Sequence, residues 1–137
     1  MSLRRVDVFF YGLFMDVDVL RAKRLDPREP RQASVQGFAL RIGRRATLVP
    51  DPEARVYGVL MRLSHEEIER LYSEPSVAVY RPEALLAEVA DGARLPALCF
   101  TLPVPPPPGE TNHDYAQKLR ELGERLGLPA SYVDRIT

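Results

Sequence analysis

The sequence predicts a single α+β domain in which a sheet of several strands is flanked by a few helices. Three observations carry this reading. Strand-like apolar segments recur through the first hundred residues. Ser64 followed by Glu67 forms a capping box, which starts a helix directly after one of them. The chain has 137 residues, the span of one core, since domains run roughly 100 to 150 residues.

The elements follow in order. Residues 6–11 read VDVFFY, with Val6, Val8 and Phe10 on one face and Phe9 and Tyr11 beside Asp7 on the other, a pattern expected of a central strand. Gly12 breaks it, and residues 15–23 suit a short helix before a charged loop carrying Pro27 and Pro30. Residues 35–42 and 46–49 form the next expected strands, a hairpin across Gly43, with Pro50 and Pro52 ending the second. Residues 56–63 are a further strand, and the Ser64 helix runs to about Tyr72. Residues 83–90 and 96–102 read as a second hairpin across Asp91 and Gly92. PVPPPPG at 103–109 should be extended and stiff, a spacer over a surface. Thr111 or Asn112 can cap a helix in which Tyr115, Leu119, Leu122 and Leu126 recur at helical spacing. Gly127 stops that helix, and Pro129 opens a short last one.

Composition narrows the function classes. Nineteen basic and nineteen acidic residues cancel, which removes the electrostatic case for nucleic acid or an anionic membrane surface. Cys99 stands alone within the apolar run 97–100 and fits a reducing compartment, so a soluble cytoplasmic protein is expected. No metal site is implied, since His65, His113 and Cys99 lack zinc-type spacing. The glycine-rich phosphate loops and the G-x-S-x-G elbow are absent too. The proline run lacks a flanking arginine, which favours a rigid connector over a docking ligand.

Two features remain. The turn Tyr11-Gly12-Leu13-Phe14-Met15 leads from a buried strand toward a helix, and successive N–H groups at such a turn can converge on an anion. Most glycine-containing turns are only turns. Glu74 follows the Ser64 helix between Tyr72 and Pro75, where burial would make a carboxylate a stronger base. A solvated glutamate at a helix end is the commoner case.

The ordered set FFYGLFMD, VYGVLMRLSHEEIERLYSEPSVAVYRPE and, after the prolines, NHDYAQKLRELGERLGLPASYVDRI resembles the gamma-glutamylcyclotransferase family across nearly the whole chain. The family's YGS(N/L) loop falls on Tyr11, Gly12, Leu13 and Phe14, and its V-x-G-V strand on Val56, Gly58 and Val59. The acidic catalytic residue falls near Glu74, the tyrosine after it on Tyr80, and the tyrosine opening the C-terminal helix on Tyr115. The closing GLP-x-x-Y matches Gly127, Leu128, Pro129 and Tyr132. Leu13 replaces the family serine, and LYSEP replaces LD-x-x-EG around the acid.

The resemblance implies a mixed or barrel-like sheet and an enzyme that converts a gamma-glutamyl compound to 5-oxoproline with release of an amine or amino acid, as in glutathione metabolism. It implies Glu74 as general acid and base, with Tyr11, Gly12, Leu13, Phe14, Met15, Tyr80 and Tyr115 around the substrate, and no cofactor. Arg41, Arg44, Arg45, Arg55 and Arg81 could select an anionic substrate tail wherever they face the pocket. The alternative is a non-catalytic small-molecule-binding member of the same fold, and a scaffold acting through the proline run is a third reading. The expected partner is a small gamma-glutamyl substrate bound by a monomer, with neither nucleic acid nor membrane involved.

Overall fold

The computed structural model describes residues 4–137. Five strands close into a barrel: β1 (Arg5–Phe10), β2 (Arg28–Ile42), β3 (Ala46–Ser64), β4 (Arg81–Val89) and β5 (Arg94–Thr101), in the spatial order β1-β3-β2-β4-β5. Neighbours are antiparallel except β1 and β5, which run parallel and meet at Val8 and Leu98. The expected barrel-like sheet is thus present, and β1 lies within it between β3 and β5, as its apolar faces require. Val8, Phe9 and Phe10 are buried, with Val56, Leu60, Met61 and Leu63 of β3 and Cys99 of β5 in the same core.

The two separate strands expected over 46–49 and 56–63 are one strand, and β2 begins at Arg28 instead of Val35. Pro50 and Pro52 do not end β3. Gln36 pairs with Arg55 and Phe38 with Pro50, so residues 51–54 stand outside the register. Pro52, which lacks an N–H to donate, falls in that excursion, where none is needed. Gly37, opposite, takes φ 94°, the positive value a bulge asks for and glycine supplies without strain. The early half of β2 reads REPRQAS and has little apolar signal of its own. Its pairing with the most apolar stretch of β3 makes it a strand.

The helices are α1 (Val17–Ala22), α2 (His65–Leu71), α3 (His113–Leu126) and α4 (Ala130–Val133), with a single 3-10 turn at Leu13–Met15. The helix expected over 15–23 is therefore split. Asp16 caps α1 by accepting from the Asp18 N–H at 3.0 Å. The capping box forms at α2, and buried Glu67 also accepts from the Asp26 N–H at 2.6 Å and from Arg5 Nη1 at 2.9 Å. Asn112 caps α3, Gly127 ends it at φ 76°, and Pro129 precedes α4. The proline run links β5 to α3. Pro106 is buried against Gly43 in the β2–β3 turn, where Glu110 accepts from the Arg44 N–H at 2.9 Å. Among the described residues, no helix is long and apolar enough to cross a membrane.

Candidate active site

A cavity of about 370 Å³ opens where the end of β1, the β2–β3 turn, the segment after α2 and the start of α3 meet. Tyr11, Gly12, Leu13, Phe14, Glu74, Tyr80 and Tyr115 all line it, although they are spread over more than a hundred positions of the chain. Met15 is not among the lining residues. It is buried beneath them, and its N–H is spent on the Gly12 carbonyl at 3.0 Å.

The turn after β1 is built by α3 as much as by its own residues. The Leu13 N–H donates to the Tyr115 hydroxyl at 3.3 Å. A Cβ on Gly12 would lie 2.5 Å from that same oxygen, so only glycine lets the phenol approach. The N–H groups of Gly12 and Phe14 have no hydrogen-bond partner among the described residues. Two unspent donors on the cavity wall suit an anionic group such as a carboxylate.

Aromatic side chains make the rest of the wall. Tyr72 stacks on Phe100 with ring centroids 3.9 Å apart, and Phe14 and Tyr80 meet Tyr72 at 6.2 and 6.3 Å. The Tyr11 hydroxyl donates to the Phe100 carbonyl at 2.7 Å, and the Tyr80 hydroxyl donates to the Ala46 carbonyl. Burial pushes the phenols of Tyr11, Tyr72, Tyr80 and Tyr115 above the usual tyrosine range. At Tyr115 the Leu13 N–H pulls the other way without reversing the effect. These hydroxyls therefore stay protonated at neutral pH; Tyr11 and Tyr80 spend their protons on backbone carbonyls and can only accept further, whereas Tyr72 and Tyr115 keep theirs to donate.

Glu74 sits in the turn between α2 and β4, with its side chain 36% exposed. Instead of apolar surroundings it has Lys23, the residue closing α1, whose Nζ lies 2.9 Å from both carboxylate oxygens. Arg44 and Arg45 also line the cavity, and neither guanidinium forms a salt bridge with a carboxylate among the described residues. Arg41, Arg55 and Arg81 lie elsewhere: Arg55 pairs with Glu88, and Arg81 donates to the Ala78 and Tyr80 carbonyls. Lys23 and Tyr72 were not among the residues the sequence singled out. Lys23 is 51 residues from Glu74 on a different element, so no local pattern joins them. Tyr72 could have been noticed as the last aromatic of the capped helix, directly before Ser73 and Glu74.

A closed five-stranded barrel with an aromatic cavity at the end of its first strand defines a recognisable class. The chain belongs to the gamma-glutamyl cyclotransferase, AIG2-like family, whose model matches residues 8–120. Its fold is similar to that of a solved gamma-glutamyl cyclotransferase, with TM-score 0.78 and 17% identity over 97% of this chain and 86% of that one. An uncharacterized protein from Homo sapiens is similar too, with TM-score 0.73 and 18% identity over 96% and 86% of the two chains. YkqA from Bacillus subtilis gives TM-score 0.77 and 22% identity over 96% of this chain and 52% of that one. No curated protein matches in sequence.

Proposed function

We propose that this protein cyclises a gamma-glutamyl compound to 5-oxoproline, releasing an amine or amino acid, with Glu74 as general base and then general acid. The observation that carries the reading is the meeting, in one cavity, of the Glu74 carboxylate with the turn that leaves the Gly12 and Phe14 N–H groups unspent. The turn holds the substrate's α-carboxylate. Glu74 takes a proton from the α-ammonium, and the freed nitrogen attacks the γ-carbonyl carbon. A new C–N bond closes the five-membered ring, the proton passes from Glu74 to the departing nitrogen as the γ-amide C–N bond breaks, and the surplus proton of the ring nitrogen follows through the same carboxylate to the released amine, which leaves as an ammonium. Because nucleophile and electrophile belong to one molecule, folding the glutamyl chain into attack geometry supplies much of the acceleration.

Tyr115 accepts from the Leu13 N–H and keeps its own proton to offer the γ-carbonyl oxygen as negative charge gathers there. Arg44 and Arg45 suit a leaving group that carries a carboxylate. The chemistry needs no cofactor, and a reducing cytoplasm suits the buried thiol of Cys99.

The test is 5-oxoproline release from glutathione, a gamma-glutamyl amino acid and a gamma-glutamyl amine, with Glu74→Gln as control. Release by the native protein and none by the variant is expected, with the fold unchanged. No release, but protection against thermal unfolding by one of these compounds, would make the cavity a binding site without catalysis.

A further inference from the structure

The proposed reaction uses Glu74 but leaves Lys23 without a part, although no other cation lies so close to that carboxylate among the described residues. The contact is symmetric, 2.9 Å to each oxygen, and it joins the end of α1 to the segment after α2. Lys23 lies in the cavity wall, and its Nζ is 6.0 Å from the centroid of the Phe14 ring, beside the anion-holding turn. With both side chains about a third exposed, the pair contributes little to stability. Its position bears on the site more than on the fold.

A carboxylate offers about four lone-pair directions, and Lys23 occupies one on each oxygen. Glu74 is therefore held against rotation while retaining room for a second donor. A substrate ammonium taking that place would share the carboxylate with the lysine ammonium and be held less tightly than by an unpaired carboxylate. The other charged or titratable groups in the cavity wall are Arg44 and Arg45 from the β2–β3 turn, Tyr11 after β1, Tyr72 after α2, Tyr80 before β4 and Tyr115 in α3. Arg45 is tied to the Ser76 carbonyl at 3.0 Å, and the tyrosines are uncharged at neutral pH. Lys23 is thus the cation in direct contact with the carboxylate that the reaction would use.

We infer that Lys23 is a positioning residue for the cyclisation: it fixes the Glu74 carboxylate against rotation and, as a like charge beside the substrate's ammonium, weakens the hold of the carboxylate on that cation. This rests on the reading of Glu74 given above. Removing the lysine charge should let the ammonium bind more tightly and react more slowly, so kcat and KM fall together.

The experiment measures steady-state 5-oxoproline release by Lys23→Met, Lys23→Gln and Lys23→Arg, using whichever gamma-glutamyl compound the native protein turns over best. For Met and Gln, a fall in kcat of about ten-fold with a KM lowered a few-fold is expected, since proton transfer by a placed group contributes on the order of a hundred-fold or more. Lys23→Arg should recover most of kcat, and the thermal midpoints should stay at the native value. Native kcat and KM in the Met and Gln variants would overturn the inference, as would a raised KM accompanied by a lowered midpoint, the sign of a structural role. Glu74→Gln separates the two ideas. If it remains active, or the native protein releases no 5-oxoproline, the catalytic reading itself fails and this inference falls with it. If Glu74→Gln is inactive while the lysine variants match the native protein, only the role of Lys23 is lost.

Discussion

The hydroxyl of Tyr115 receives the Leu13 N–H at 3.3 Å and stands where a side chain on Gly12 would have to begin. One phenol thereby satisfies a backbone donor and sets the residue type beside it. Tyr115→Phe should cost about 1 kcal/mol by leaving that donor unpaired. Gly12→Ala should cost about 1 to 3 kcal/mol, because the added methyl meets the hydroxyl. The two changes together should cost less than their sum, since removing the hydroxyl makes room for the methyl. A double-mutant cycle by denaturant unfolding measures this, and strict additivity would contradict it.

Glu67 contributes stability that acid removes. Burial pushes its carboxyl up, but the Ser64 and Asp26 N–H groups and the Arg5 guanidinium outweigh that and hold it below its ordinary 4.5. A carboxyl lowered in the folded state contributes stability that is present above its unfolded value and lost as pH falls through the folded one. Native stability should therefore decline below pH 4.5 more steeply than that of Glu67→Gln, with urea unfolding at a series of pH values as the measurement. At neutral pH the substitution should cost roughly 1 to 3 kcal/mol, as donors built around a carboxylate lose it.

In alkali the tyrosines take over. Tyr11, Tyr72, Tyr80, Tyr115 and Tyr132 are pushed upward chiefly by burial. A phenol raised in the folded state stabilises the fold below its unfolded value, and that contribution is lost as pH rises. Above the ordinary tyrosine value of 10.0, stability should fall, and most phenolate absorbance near 295 nm should emerge together with unfolding. Full ionisation at pH 11 with native circular dichroism would contradict the burial described here.

Arg44 and Arg45 should set the preference among leaving groups. Replacing either by Ala should lower kcat/KM for a gamma-glutamyl amino acid relative to a gamma-glutamyl amine by about five-fold, the scale of one exposed ion pair. The difference should shrink as salt is added. An unchanged ratio would place the leaving group away from the β2–β3 turn.

Gly43→Ala tests how the proline run is seated. The new methyl would lie 2.5 Å from Pro106 Cβ and against the Glu110 carboxylate. A loss of about 1 to 3 kcal/mol is expected, the usual cost of overpacking. A smaller loss would show that the run shifts freely over the barrel.

Local signals led to local structure. The capping box, the Asn112 cap, the Gly127 stop and the hairpin across Asp91 and Gly92 were all legible, because each is decided by neighbours in sequence. The length of β2 and β3 was not. Arg28 to Ser34 becomes a strand because β3 lies beside it, and β3 passes Pro52 because residues 51–54 leave the register. The same division runs through the candidate site. Tyr11, Gly12, Glu74, Tyr80 and Tyr115 were marked by motif order and are brought to one cavity, whereas Lys23 becomes relevant only when the end of α1 meets the segment after α2.

Strand pairing ends at Thr101, yet the cavity wall does not, because Tyr115 comes from α3 beyond the proline run. A protease cut between residues 103 and 111 would leave all five strands on one fragment and the phenol that braces the turn after β1 on the other. Such a cut should loosen the cavity before the two fragments part, because Leu119, Leu122, Tyr132 and Val133 of α3 and α4 are buried in one core with the strands.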